Sequence, residues 1–193
     1  PLTLEVIPSA TYSRRETRVS PKAFGPTESD PDAGVSVKYG VTSSTTIEGT
    51  VNPDFSQVES DAFQVEVNQR FPVFYSEKRP FFMEGMGTFE LAGVGGDANM
   101  RTAVNTRVIE DPLWGGKASG TAGRATFALL AAGDEAPGRQ APGEVENPFF
   151  GERKGYFIGR GQYSLGSSNY VGALLTDTEF GGGHNRVAST DLS

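Results

Sequence analysis

Three acidic residues, Asp54, Glu59 and Asp61, supply the oxygen ligands a Ca²⁺ ion accepts, yet their spacing lacks the Asp-x-Asp-x-Asp-Gly order of an EF-hand loop. A solvated acidic rim is the simpler reading. His184 is the only histidine, set in Gly181-Gly182-Gly183-His184-Asn185-Arg186, which reads as a polar loop. One imidazole without any cysteine cannot assemble a tetrahedral zinc site. A Ser-His-Asp triad would have to run through His184, and no Gly-x-Ser-x-Gly elbow is present. Carboxylates are plentiful enough for glycoside hydrolysis, but nothing in their spacing singles out a pair. Gly115-Gly116-Lys117 lacks the spaced glycines of a phosphate loop and reads as the start of a strand. The expectation is a non-catalytic chain with no cofactor and no metal.

The elements that would position any such group are strands. Hydrophobic residues make up 36% of 193 residues, glycine numbers 25, and mean hydropathy is −0.36, which suits alternating strands between polar loops. A net charge of −7 argues against nucleic acid as a partner. No apolar run is long enough for a membrane-spanning helix, whereas spanning strands carry only half that signal. Three hairpins are legible. Val35, Val37, Tyr39 and Val41 alternate with Ser36, Lys38 and Gly40, and after Thr42-Ser43-Ser44 the return strand sets Ile47, Gly49 and Val51 against Glu48 and Thr50. This puts Lys38 and Glu48 on one polar face. The second hairpin spans 116–132 around Gly123-Arg124, and the third spans 155–178 around Gly166-Ser167-Ser168. With a strand begun at Leu2 to Ile7, that makes seven antiparallel strands. Long polar connections are expected over 13–33, 52–112 and 133–153, with another after Thr178. Short turns alternating with long loops suit an outer-membrane barrel; a soluble β-sandwich or a propeller is the alternative. Trp114 fits an aromatic at a membrane interface.

The densest motif lies in the longest connection. It begins Asn52-Pro53-Asp54-Phe55, continues through Glu59 and Asp61, and closes with Glu77-Lys78-Arg79-Pro80-Phe81-Phe82-Met83-Glu84-Gly85. Pro53 and Pro80 fix φ and remove donors, so each is expected to end or bend a strand. The charged residues are expected to form an ion-pair network, with Arg79 stacked on a phenylalanine face (about 0.5–2 kcal/mol). Phe81 and Phe82, with Phe71 and Phe74, would anchor the segment to the sheet. The preferred reading is that it folds inward or caps the mouth of a barrel; the other is that it contacts a substrate or partner. Ser60 to Arg70 is the best helix candidate, and its spacing suits a strand better.

Thr50 to Asp61 and Val73 to Gly85, with Asp111 to Lys117 and Phe127 to Ala132, resemble a family of large bacterial envelope proteins. Its pattern is similar to TVNPDFSQVEAD followed by FFPEKRPFFLEG; Ser76 and Met83 are among the departures from it here. Such proteins join an N-terminal domain similar to family 9 carbohydrate-binding modules to a C-terminal domain of unknown function thought to form an outer-membrane β-barrel. The resemblance covers roughly residues 30–180. It implies an all-β fold of antiparallel up-and-down hairpins: a partial transmembrane β-barrel spanning 1–193, cut at both ends, with an inserted segment at about 52–112. The implied location is the bacterial outer membrane, and the implied partner is outer-membrane lipid. A glycan or peptide ligand is a further candidate partner. The implied role is envelope transport or surface interaction. The competing expectation is a soluble β-rich module that binds glycans or peptides through the aromatics of 71–82.

Overall fold

A computed structural model describes residues 2–20, 23–53, 77–91, 104–140 and 146–193. Among them, eight strands form one antiparallel sheet in sequential order. They are β1 (Leu4–Ser20), β2 (Ala23–Thr42), β3 (Thr45–Val51), β4 (Pro112–Ala122), β5 (Ala125–Asp134), β6 (Lys154–Ser164), β7 (Tyr170–Phe180) and β8 (Gly183–Leu192). The sheet is open, with β1 and β8 as its edges. One four-residue helix, α1 (Pro80–Met83), and short 3-10 turns at Met86–Phe89 and Thr106–Val108 lie between β3 and β4.

The all-β, up-and-down expectation is therefore met, with three corrections. The described residues hold eight strands rather than seven. Residues 13–20 and 23–33, read as loop because Arg, Glu, Asp and Pro interrupt the apolar alternation, are the distal halves of β1 and β2, in register from Tyr12↔Pro31 to Thr27↔Glu16. This ribbon runs on beyond β3, which ends opposite Val35, and its sequence lacks the alternation by which hydrophobic period would reveal it. Nor does a long connection follow Thr178. Gly181 (φ 57°) and Gly182 (φ 75°) make a tight turn into β8, a geometry two adjacent glycines accept without strain. His184 thereby belongs to β8, opposite Glu179, rather than to a loop.

The three expected hairpins stand in place. Tight turns between β2 and β3, β4 and β5, and β6 and β7 gather at one end of the sheet, where Ser44 and Arg124 carbonyls accept from the Thr121 and Ser164 amides (3.0 and 2.9 Å). The long 52–111 and 135–153 connections leave from the opposite end.

Strand alternation sorts the side chains into two unlike faces. One carries Val35, Val37, Tyr39, Ile47, Val51, Trp114, Leu129, Phe157, Tyr163, Val171 and Leu175, all exposed. The other carries Glu48, Thr50, Lys117, Asp134 and Arg160, all buried, beside Ala128, Leu130, Ala132, Tyr156, Ile158 and Leu174. On this inner face one register row runs Glu5↔Lys38↔Glu48↔Lys117, charges alternating in sign across four strands. Farther along, Arg160 on β6 reaches over β7 to Asp191 on β8 through two bonds of 2.5 and 2.6 Å. Gly172 lies between them, and a Cβ there would meet Arg160 Nη1 at 2.6 Å and collide with the Asp191 carboxylate.

Gly172→Val is accordingly expected to destabilise the fold by about 3–5 kcal/mol, because it separates a buried arginine from the Asp191 carboxylate that pairs with it. Gly161→Ala, on the outer face with open space at its Cβ, is expected to stay within about 0.5 kcal/mol of the parent. Chemical denaturation of both variants checks the difference.

Candidate functional site

The inner face is covered by the 77–91 and 104–111 segments, and the covering is built around Glu77 and Arg79. Glu77 Oε1 accepts from the backbone N–H groups of Lys78 (3.1 Å) and Arg79 (3.0 Å) and from Arg79 Nε (2.8 Å). Its Oε2 accepts from Arg79 Nη2 (2.9 Å) and Thr106 Oγ1 (2.6 Å). Arg79 Nη1 and Nη2 also donate to the carbonyls of Ile109 (2.5 Å) and Thr106 (2.8 Å). One guanidinium thus ties both segments together, and its fork geometry suits that double task in a way an ammonium would not. Burial pushes the Glu77 carboxyl upward, but hydrogen bonds from Arg79 and Thr106 outweigh it and bring the group down to about 2.

Proline ends no strand at position 80. It opens α1 at its first turn, where the missing N–H costs nothing. This helical turn presents Phe81 and Phe82 to the sheet, edge to face at 5.1 Å between ring centroids. Phe82 is fully buried, and the Arg79 guanidinium lies over its ring at 4.4 Å, as the sequence leads one to expect. Phe82 and Phe89 join Val104 and Ile109 against Ala128, Leu130, Ala132, Tyr156 and Ile158. Phe81 sits over Gly115, where a Cβ would meet the ring at 2.8 Å.

Polar contacts fix the other half of the cap. Lys117 Nζ donates to the carbonyls of Phe81 and Glu84 (2.7 Å each) and pairs with Glu48 (3.1 Å). The Glu84 carboxylate meets the Lys38 ammonium. At the rim, the fully buried Asp134 carboxylate accepts from the amides of Glu110, Asp111 and Ala136 (2.9, 2.9 and 3.0 Å), and Tyr156 Oη donates to Val108 O (2.9 Å).

Of the motif residues, Glu77, Arg79, Pro80, Phe81, Phe82 and Glu84 converge on this cap, while Lys78 is exposed beside it. Asn52 stands apart as the terminator of β3. Its φ is 47°, its N–H donates to Leu113 O (2.7 Å), and its side-chain amide donates to Ala33 O (2.9 Å) and the Asp32 carboxylate. Pro53 follows immediately, consistent with a strand end. Asp54, Phe55, Glu59, Asp61, Phe71, Phe74 and the Ser60–Arg70 candidate lie outside the described residues. By sequence Lys117 reads only as the start of a strand, and Asp134, Thr106 and Arg160 are not singled out. The available signal was positional: Lys117 and Arg160 are charges in the middle of otherwise small or apolar strands. Among the described residues no group of three or more side chains could hold a metal ion. His184 lies on the face away from the cap, in the register row of Glu179, Gly155 and Trp114.

The geometry defines an all-β protein whose polar sheet face is closed by its own chain. Residues 1–94 match the family model described as a domain of unknown function, DUF5916, a span that includes both parts of the motif. No curated protein and no solved structure matches the chain.

Arg79→Met leaves Glu77 buried without its partner and is expected to cost about 3–5 kcal/mol. Because the folded Glu77 carboxyl titrates near 2 rather than at its ordinary 4.5, its contribution is complete above the ordinary value. That contribution is lost as pH falls from there toward 2. Denaturation midpoints measured across this window are expected to fall steeply in the parent and only weakly in Glu77→Gln.

Proposed function

We propose that this chain is a wall of a bacterial outer-membrane β-barrel, non-catalytic, with an inner cap that closes its lumen side, serving envelope transport or surface interaction. The observation that carries the reading is the inverted polarity of the sheet. Phe157, Trp114 and Leu129 are each at least 40% exposed, while Lys117 and Arg160 are 4% and 2% exposed. Water on both sides would favour the opposite arrangement, since burying charge costs far more than exposing a phenyl ring. Hydrocarbon outside and a polar interior make the observed arrangement the favourable one.

Dimensions support it. β4 to β8 are 10 or 11 residues long, the length a tilted strand needs to cross a bilayer. Trp114 marks one end of the apolar face; Tyr163, in register through Ala125 with Ala122, marks the other. The separation from Trp114 to Ala122 is about 27 Å along the strand at ~3.4 Å per residue, comparable to the ~25 Å apolar band between aromatic girdles. Within β4 to β8, charge enters this face where Arg186 of β8 pairs with Asp177 (2.9 Å) and Glu179 (3.2 Å) of β7. The resemblance to envelope proteins with a carbohydrate-binding-like N-terminal domain points to the same compartment, and sugar binding is not carried onto these residues. The competing soluble glycan- or peptide-binding module would present its aromatics to a ligand, whereas Phe81 and Phe82 are turned into the core.

Leu129→Arg separates the two readings. On a lipid-facing wall it is expected to cost about 2–4 kcal/mol in the full-length protein folded into vesicles. On a soluble module the same exposed change stays within about 0.5 kcal/mol. Sidedness follows from the turns: with the tight turns toward the periplasm, cysteines placed at Ser43 and Glu152 are expected to label from opposite sides in intact cells, and equal labelling would overturn that orientation.

A further inference from the structure

The two edges of the sheet are not alike. Tyr170 and Ser193 exchange both backbone bonds (3.0 Å each), so in the register of β7 with β8 the odd-numbered residues of β8 face β7. The N–H and C=O groups of His184, Arg186, Ala188, Thr190 and Leu192 therefore point away from the sheet. β8 contains no proline, and its pairing with β7 runs without a bulge. On β1 the Gly40 N–H donates to Thr3 O (2.9 Å), which turns the even-numbered residues of β1 outward, and one of them is Pro8. Proline removes a donor from that edge, and the β1–β2 register shifts again between Glu16 and Ser20. One edge is interrupted; the other is continuous.

Height decides what the continuous edge meets. Ala188 shares a register row with Leu175 and Leu129, and Leu192 shares one with Val171 and Tyr163. On the barrel reading these rows cross hydrocarbon, where unpaired backbone groups are not tolerated. Closing β8 onto β1 would pair them but leaves no room. Eight strands enclose an interior that their own side chains fill, or at most one small ligand. Here the inner face already holds Phe81, Phe82, Phe89, Val104 and Ile109, carried on two chain segments. A lumen that contains this cap needs more than eight strands.

We propose that the β8 edge is the docking surface for a ninth strand of the same full-length polypeptide, antiparallel to β8, and that the barrel closes beyond it rather than onto β1. The chemistry of that strand follows from β8. Its outer positions lie opposite Ala188, Thr190 and Leu192 and are apolar; its inner positions lie opposite Ser189 and Asp191 and are polar. Ser189 Oγ is buried with no hydrogen-bond partner among the described residues, a costly state for a hydroxyl. Odd residues of β8 meet the added strand in non-hydrogen-bonded pairs, where side chains approach most closely. The residue opposite Ser189 is therefore one that hydrogen-bonds. This deepens the barrel reading and rests on it for the medium around the edge.

Cysteine cross-linking in the full-length protein tests the proposal. Ser189→Cys is combined in turn with single cysteines walked through the alternating segments outside residues 1–193, and with Ile7→Cys, Ser9→Cys or Thr11→Cys on the inner face of β1. A disulfide is expected with one outside segment, at alternate positions only, and with none of the β1 cysteines. Val187→Cys, which leaves the Ser189 hydroxyl in place, is expected to link to the same segment two residues farther along. A link to β1 within one chain, a link between two copies, or no link to any outside segment would overturn the proposal. Flotation of the same preparations with phospholipid vesicles reports separately on the barrel. Protein that floats without the link refutes the ninth strand alone; protein that links without floating refutes the membrane reading and leaves the docking edge standing.

Discussion

A buried ammonium must be given acceptors, and Lys117 is the clearest instance of that constraint in this protein. It sits on a strand flanked by glycine and alanine, 4% exposed, where no water replaces a missing partner. Glu48 supplies the counter-charge, but one carboxylate cannot satisfy three N–H donors. The two carbonyls at 2.7 Å come from the chain that covers it, so the cap and the charged strand require each other. The same logic recurs at Asp134, whose carboxylate collects three amides, and at Arg79, which binds a carboxylate and two carbonyls at once. Replacing such groups with apolar ones of equal volume could cost little. What the polar groups contribute is a defined seat: these donors admit one placement of α1 and not a family of them.

From that seat the division of the sheet follows. Strand geometry sends alternate residues to opposite faces, so a face that takes Lys, Glu and Arg leaves the intervening positions to Val, Ile, Leu, Phe and Trp. The cap covers the charged set, which leaves the apolar set as the outer surface. Gly115 and Gly172 mark where this inward packing is tightest, one beneath Phe81 and the other between Arg160 and Asp191. Gly133 does the corresponding job outside, giving room for the Trp114 indole that lies across it.

Much of the fold was legible because period-two alternation survives wherever the two faces of a strand differ in polarity. The hairpins around 43–44, 123–124 and 166–168 were readable for that reason. The distal β1–β2 ribbon was not, since its sequence over 13–33 carries no sustained apolar alternation. The β7–β8 turn was carried by Gly181-Gly182, a pair that also reads as a flexible loop. In the motif, the stacking of Arg79 on Phe82 and the inward turn of Phe81 could be inferred from residue types. The identity of the receiving partners could not. Thr106, Ile109, Lys117 and Asp134 lie far from 77–84 in sequence, and their roles depend on register rather than on any local pattern. Pro80 shows the same limit: a strand breaker by composition, it serves as a helix opener because the chain has already left the sheet.

The central claim is that neighbouring residues of one strand meet two different media. A spin-label scan along β5 in the full-length protein, reconstituted in phospholipid vesicles, tests it most directly. Labels at Phe127, Leu129 and Ala131 should collide with dissolved oxygen and be shielded from an aqueous nickel chelate, while those at Ala128, Leu130 and Ala132 should be protected from both. Equal access of the nickel reagent to Phe127, Leu129 and Ala131 would contradict the account, because it would place water where hydrocarbon is required.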